Sequence, residues 1–394
     1  MVLKEKQKMT PLIAPCEPPY SAGVTDDLAA LMPLGTPPIA LFRVLAHNPR
    51  ILSRFRAGRL LDAGALSARE RELLILRVCH RCDCDYEWSI HVAGFADAAG
   101  LAEADLHATL QPTAEAPLSC RERLMLAAAD ELVDACKLTS ATTAALRRNL
   151  VPAEIVELIA LVGRYVWVSM IANTAALPRE SGVRPWTGSK LNLLSPPAGM
   201  PCAPRIAPLE PPYPADVAAA LSRIHPSDSP REPLKLFRTM VRSLRLCDPM
   251  FAFARFMLGR NTAIAASYDL RTRELVIDRV TARCGCEYEW GVHMAAYGEK
   301  AGITPAQAYS LVHGDCTDAC WADEDRTTLT FVDELHDHGR VSDATWAAMR
   351  VRFSDATLIE LLVLAGWYHA IAYLASSAQV ELESWAYRFP ARQS

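Results

Sequence analysis

The stretch that decides the fold is RELLILRVCHRCDCDYEWSIHV at residues 71–92, which returns as RELVIDRVTARCGCEYEWGVHM at 273–294. Both copies place two cysteines, a Tyr-Glu-Trp triplet and a histidine at the same spacing. Further matches keep the same order along the chain: APCEPPY at 14–20 with APLEPPY at 207–213, DEL at 130–132 with 333–335, and ELIALVGRYVW at 157–167 with ELLVLAGWYHA at 360–370. A preserved order of matches indicates a tandem duplication.

The boundary between the two copies is marked by proline. Ten of the 27 prolines lie between Pro178 and Pro214, and proline favours extended connectors over helix interiors. At 394 residues the chain is long enough for two ordinary domains. The sequence therefore predicts a first domain over 1–180, a Pro-rich linker over 181–206 and a second domain over 207–394.

Within each copy the apolar residues recur at helical spacing. Residues 68–79 follow a predicted serine N-cap, and residues 152–172 begin with Pro152, which suits the first position of a helix. Residues 119–136 and 323–337 have the pattern of amphipathic helices. Because no convincing alternating strand pattern occurs in the sequence, we predict an all-α protein with two helical bundles of about six to eight helices each.

Composition narrows the class of protein. The chain is 51% hydrophobic and 22% charged, as soluble globular proteins are. A net charge of −4 without a long Lys/Arg block argues against a nucleic-acid partner. The first residues lack the apolar stretch of a signal peptide, and the most apolar segment, 358–375, is interrupted by Glu360 and His369, which favours a core helix over a membrane span. We expect a cytoplasmic protein without a membrane partner.

The chain has twelve cysteines. In a reducing compartment most of them are expected to be free thiols. Four stand in apolar or helical surroundings and are predicted to be small core residues: Cys79, Cys120, Cys136 and Cys247.

The repeated motif aligns reactive side chains on one helix face. Cys84, Glu87, Trp88 and His91 stand at positions i, i+3, i+4 and i+7, which share a face. The second copy repeats this arrangement with Cys286, Glu289, Trp290 and His293. A thiol in the first turn of a helix is favoured as a thiolate by the helix dipole and by a nearby imidazolium. A plain packing role is the alternative, but the return of all these residue types in a diverged copy favours a functional one.

The motif resembles the carboxymuconolactone decarboxylase and alkylhydroperoxidase D-like superfamily. That family has a glutamate one helix upstream, followed by Cys-x-x-Cys-x-x-x-His. Counted back from His91, the first family cysteine falls on Cys84, and the glutamate twelve residues before it falls on Glu72. In the second copy the same steps give Glu274, Cys286 and His293.

The resemblance covers most of each half and implies two tandem alkylhydroperoxidase D-like helical bundles with enzymatic activity. It also implies assembly of small helical subunits, here as a homo-oligomeric dimer or trimer of the fused pair. The chain departs from the peroxidase pattern at the second family cysteine, where it has Glu87 and Glu289.

The first functional hypothesis is thiol-based reduction of hydroperoxides. Glu72 would orient His91, His91 would take the proton of Cys84, and the thiolate would attack the peroxide to give a sulfenic acid. Cys82 would condense with that acid, and an external thiol reductant would restore the pair. The second copy would use Glu274, His293, Cys286 and Cys284. This hypothesis comes first because proton transfer alone would not need two cysteines in each copy.

The second hypothesis is cofactor-free acid–base catalysis, a decarboxylation or isomerisation of a small organic acid or lactone. Glu87 and His91, with Glu72 behind them, would move protons in an apolar pocket. Aromatic side chains of both copies would shape that pocket around the small-molecule substrate: Tyr86, Trp88, Tyr288 and Trp290.

Two further hypotheses stay open. In the first, the protein is a metal-dependent enzyme, with zinc or copper on Cys82, Cys84 and His91 and on their counterparts Cys284, Cys286 and His293. His336, His338 and His369 are additional ligand candidates in the second half, although a solvated or hydrogen-bonded histidine is the simpler interpretation of each. In the second, the protein is a non-catalytic binding or assembly module.

Overall fold

The computed structural model describes residues 16–31, 37–38, 65–113, 115–177, 209–222, 268–380 and 382–392, together with positions 43, 46, 49, 52, 53, 233 and 238. The regular secondary structure of these residues is helical throughout, with seven α-helices in each copy. The predicted all-α fold is therefore confirmed. The predicted linker over 181–206 lies outside the described residues.

The two copies contain the same succession of helices. Among the described residues, the first copy contains α1 Ala22–Leu31, α2 Ala68–Arg81, α3 Asp85–Gly94, α4 Glu103–Leu110, α5 Cys120–Ala135, α6 Ser140–Asn149 and α7 Pro152–Thr174. In the same part of the structure, the second copy contains α8 Ala215–Ser222, α9 Leu270–Arg283, α10 Glu287–His293, α11 Pro305–His313, α12 Asp323–His338, α13 Asp343–Arg350 and α14 Asp355–Ala378. A π-helical turn, Met294–Gly298, continues α10.

Local capping signals fix where these helices begin. Ser67 caps α2 by accepting from the Glu70 backbone N–H, and the Glu70 side chain accepts from the Ser67 backbone in return. Ser119 and Glu122 form the same reciprocal pair at the start of α5. Such capping boxes satisfy backbone donors that have no partner within the helix. The helices predicted over 68–79, 119–136, 152–172 and 323–337 are present, with ends that differ by no more than two residues.

The long helices α7 and α14 pack against each other and form the centre of the protein. Both are long and apolar enough to cross a membrane, but 94% and 100% of their apolar windows are buried inside the protein. Glycines allow their close approach. A Cβ on Gly163 would lie 2.6 Å from the Cα of Ala370, and one on Gly366 would lie 2.5 Å from the Trp167 ring.

The contact between the copies has approximate two-fold symmetry. The Leu138 backbone N–H donates to Ser377 Oγ at 3.1 Å, and the Val341 backbone N–H donates to Thr174 Oγ1 at 3.2 Å. These four residues occupy corresponding positions, because each partner in one bond lies 203 residues from its counterpart in the other. The two halves of the chain therefore pack together as a pseudo-dimer.

Candidate active site

A tight link of three residues sets the geometry of each site. Cys82 follows the last residue of α2, and Cys84 occupies the N-cap position of α3. Between them Asp83 has a φ of 53°, a left-handed conformation that is rare outside glycine, and Gly285 has a φ of 63° at the same place in the second copy. The reversal at this residue packs α3 against α2.

A buried carboxylate–imidazole pair joins these two helices. His91 Nδ1 lies 2.7 Å from Glu72 Oε2, and His293 Nδ1 lies 2.8 Å from Glu274 Oε2. All four side chains are buried. A carboxylate at Nδ1 favours a proton on that nitrogen and leaves Nε2 to do the chemistry.

A second glutamate faces the other ring nitrogen. Glu87 Oε2 lies 3.9 Å from His91 Nε2, and Glu289 Oε2 lies 3.9 Å from His293 Nε2. Burial raises the pKa of Glu87 to about 7, against the lowering influence of His91. The pKa of Glu289 is raised to about 7 for the same reason. Each site therefore holds a carboxyl group that exchanges its proton near neutral pH.

A tyrosine from the last helix of each copy completes the site and is not among the residues predicted from the sequence. The Tyr368 hydroxyl lies 3.0 Å from His293 Nε2. The Tyr165 ring stands edge-on to His91, with 5.1 Å between the ring centroids. Burial raises the pKa of both phenols, which keeps them protonated and able to donate. The available signal was the tyrosine that recurs within ELIALVGRYVW and ELLVLAGWYHA.

Three of the four motif cysteines, Cys84, Cys284 and Cys286, are buried thiols, and Cys82 is half-buried. Burial raises the pKa of Cys84, and the nearby Glu87 adds to that rise, while a hydrogen bond with Ser169 opposes it. Burial raises the pKa of Cys286 to about 12. The expectation that the helix N-terminus would lower these pKa values is wrong, because the cost of burying a thiolate outweighs the dipole.

The carboxymuconolactone decarboxylase family model matches residues 47–131 and 252–332. One match to this family model therefore lies in each half of the chain. The predicted family and the tandem duplication are thereby confirmed. The matched ranges contain both Glu–His pairs and end before α7 and α14, which carry the two tyrosines. Comparisons with curated proteins and with solved structures gave no match.

The two family domains differ in the arginines near the site. In the second, Arg273 Nε lies 2.6 Å from Glu274 Oε1 and so holds the negative charge of that carboxylate. In the first, Arg71 pairs with the buried Glu157 instead. Arg164 forms no ion pair with the residues that the structure describes, and burial lowers its pKa to about 10. Its guanidinium is within electrostatic reach of Tyr165 and Arg71.

The four aromatic residues predicted to bind substrate are all buried: Tyr86, Trp88, Tyr288 and Trp290. In the second domain they contact the C-terminal segment 382–392. The Tyr288 hydroxyl donates to Glu383 at 2.9 Å, and Trp290 packs on Phe389 with 5.2 Å between ring centroids. These contacts give both residues a packing role, and their contact with substrate stays a prediction.

Among the described residues, one group of three potential metal ligands has its ligand atoms within 4.8 Å of one another. It consists of Cys136, Cys284 and His336. Cys284 belongs to the ligand sets predicted from the sequence and His336 to the additional candidates, whereas Cys136 was predicted to be a core residue. The predicted ligand sets stay predictions. Cys79 and Cys136 are buried as expected, whereas Cys120 is exposed at the first turn of α5 and is not a core residue. Cys247 lies outside the described residues.

Proposed function

We propose that the family domains catalyse proton transfer on a small carboxylated acid or lactone, as a cofactor-free decarboxylase or isomerase. The observation that carries this proposal is the position and pKa of the Glu87 carboxyl. This carboxyl faces Nε2 of His91, whose Nδ1 contacts Glu72, and its pKa is about 7. A general acid works best when its pKa is near the operating pH. Both domains hold the same arrangement.

Each group has a defined part in a decarboxylation. The bond between the substrate carbon and its carboxylate breaks, carbon dioxide leaves, and the electron pair moves into the neighbouring carbonyl as an enolate. The protonated Tyr165 hydroxyl stabilises the enolate oxygen by hydrogen bonding. Glu87 then donates its proton to the carbon, and His91 passes a solvent proton back to Glu87. In an isomerisation, His91 Nε2 first removes the proton that Glu87 later replaces at another carbon.

An anionic substrate suits the first domain in particular. Arg164 is a half-buried cation beside Tyr165 and without a carboxylate partner among the described residues. Burying a charge without a partner is costly, and a substrate carboxylate would remove that cost. The corresponding position in the second domain is Trp367, so the two domains are expected to differ in substrate affinity.

The proposal is tested on the full chain with a carboxylated unsaturated γ-lactone, by measuring carbon dioxide release and deuterium incorporation from D2O into the product. The double variant His91→Gln/His293→Gln should lose roughly 10²- to 10⁴-fold in rate. The double variant Cys84→Ser/Cys286→Ser serves as the matched control and should retain most activity. Turnover that survives the histidine changes but not the cysteine changes would contradict the proposal.

Hydroperoxide reduction is the second candidate, favoured by the thiols at the two ends of each link. Cys82 is half-buried and lies close enough to Cys84 to contribute to the raised pKa of that thiol. In this reaction the Cys84 thiolate breaks the O–O bond, an alcohol leaves, and Cys82 displaces water from the sulfenic acid. An organic peroxide with a dithiol reductant tests it. Consumption that stops in Cys84→Ser/Cys286→Ser would establish the peroxidase and replace the acid–base proposal.

Assembly and location are also proposals. We infer a homo-oligomer of two or three chains in the cytoplasm, with neither nucleic acid nor membrane as a partner. Light scattering on the purified protein measures the number of chains in the assembly, and cell fractionation measures its location.

A further inference from the structure

A cluster of thiol and imidazole groups lies where the two copies meet, outside both Glu–His pairs. Cys136 follows α5 of the first copy, Cys284 follows α9 of the second, and His336 lies in the last turn of α12. Their ligand atoms are all within 4.8 Å of one another. Cys136 and Cys284 are both buried.

Hydrogen bonding prepares His336 as a ligand. His369 Nδ1 lies 2.8 Å from the Ala365 carbonyl, which can only accept, so this nitrogen carries the proton. In the neutral ring His369 Nε2 is therefore an acceptor for His336 Nδ1 at 3.1 Å. With its Nδ1 donating this bond, His336 keeps the lone pair of Nε2 for a metal ion. A second histidine that fixes the tautomer is typical of metal sites.

The backbone at Cys136 is strained in a way that packing alone does not require. Cys136 has a φ of 57°, in the left-handed region that favours glycine. At the equivalent helix end of the second copy the residue is Gly339, with a φ of 63°. A side chain kept in an unfavourable backbone conformation points to a role for that side chain.

The pseudo-symmetry provides an internal comparison. The counterparts of Cys136, Cys284, His336 and His369 are Gly339, Cys82, Val133 and Val166. Gly339 does lie near the Cys82 backbone, as the symmetry requires: its added Cβ would be 4.0 Å from the Cys82 carbonyl oxygen. Of the two sets of equivalent positions at the contact between the copies, only the set with Cys136, Cys284 and His336 has three potential metal ligands.

We propose that the protein binds one zinc ion on Cys136, Cys284 and His336, which links its two halves. Two thiolates and an imidazole are ligands that zinc prefers, with a fourth position left for solvent on the side of the partly exposed His336. Binding releases one proton from each thiol, so that two thiolates balance the charge of the ion. Tyr373, which hydrogen-bonds Cys136, and His369 support the ligands from behind.

The test uses the full chain, purified with reductant, stripped with a chelator and titrated with Co²⁺ and then Zn²⁺. We expect one Co²⁺ per chain, with the thiolate-to-cobalt absorption of a tetrahedral site, and its displacement by Zn²⁺. Cys136→Gly places the residue of the other copy at this position and is expected to fold well. It should weaken Zn²⁺ binding by roughly 100-fold or more, as should His336→Val. Cys82→Ser, at the counterpart of Cys284, should bind zinc like the parent.

A second measurement separates binding from folding. Zn²⁺ should raise the unfolding midpoint of the parent and of Cys82→Ser but not of Cys136→Gly, because only the first two hold the ion across the contact. Unchanged zinc affinity in Cys136→Gly would overturn the proposal. A metal-free Cys136–Cys284 disulfide in parent protein purified without reductant would also overturn it. Stoichiometric binding of Cu⁺ but not of Zn²⁺ would do the same.

Discussion

At the scale of single residues, the Glu87 and Glu289 carboxyls couple the stability of the protein to pH. Their pKa values rise from 4.5 when unfolded to about 7 in the fold. The stability that these two carboxyls contribute to the fold is therefore fully present below pH 4.5. It declines as the pH rises to about 7 and changes no further above that value. Glu87→Gln should raise the free energy of unfolding by on the order of 1–3 kcal/mol at pH 8, and less at pH 5. Denaturant titrations at both values measure this. An equal effect at both pH values would contradict the raised pKa.

A separate prediction concerns Arg164, which has no carboxylate partner among the described residues. Arg164→Leu should raise the KM for a carboxylated substrate roughly 10-fold or more, because it removes a charge-assisted contact, and should change kcat less. The measurement belongs in a His293→Gln background, where the second site is silent. Arg148→Leu, an exposed arginine of α6, removes the same charge elsewhere. If the two variants raise KM equally, Arg164 acts only through net charge.

At the scale of helices, α9 buries a carboxyl group at a position where α2 has an apolar side chain. Asp278 of α9 is fully buried, its carboxylate has no hydrogen-bond partner among the described residues, and burial beside Glu274 raises its pKa. The corresponding residue of α2 is Leu76. Asp278→Leu should therefore stabilise the protein by about 1–3 kcal/mol, with a larger gain at pH 8 than at pH 5. Thermal unfolding measures the gain, and the reverse change, Leu76→Asp, should lower stability. A loss of stability in Asp278→Leu would contradict this account.

The helices also show what the sequence could and could not predict. Capping signals and helical spacing act within a few residues, and they located α2, α5, α7 and α12. The resemblance to the family pattern also implied a pairing of His91 with Glu72, and these two side chains lie 2.7 Å apart. Tyr165 lies on α7, 74 residues after His91 in the sequence, and its ring contacts the His91 ring. No local sequence rule predicts that contact. The raised pKa values of Cys84 and Cys286 likewise follow from burial by helices distant in the sequence.

At the scale of the whole molecule, the two domains depend on the close crossing of α7 and α14. An alanine at Gly163 would place its Cβ 2.6 Å from the backbone of Ala370, which cannot give way without separating the helices. Gly163→Ala should therefore lower the free energy of unfolding by about 1–3 kcal/mol. Gly94→Ala is the matched control: Gly94 ends α3, and its added Cβ would meet nothing within 4 Å. That change should be neutral or stabilising, since alanine favours helix over glycine by up to about 1 kcal/mol. Equal stabilities in denaturant titrations would show that the crossing tolerates a wider separation. Because Tyr165 and Tyr368 are carried by these same helices, the destabilised variant should also turn over substrate more slowly.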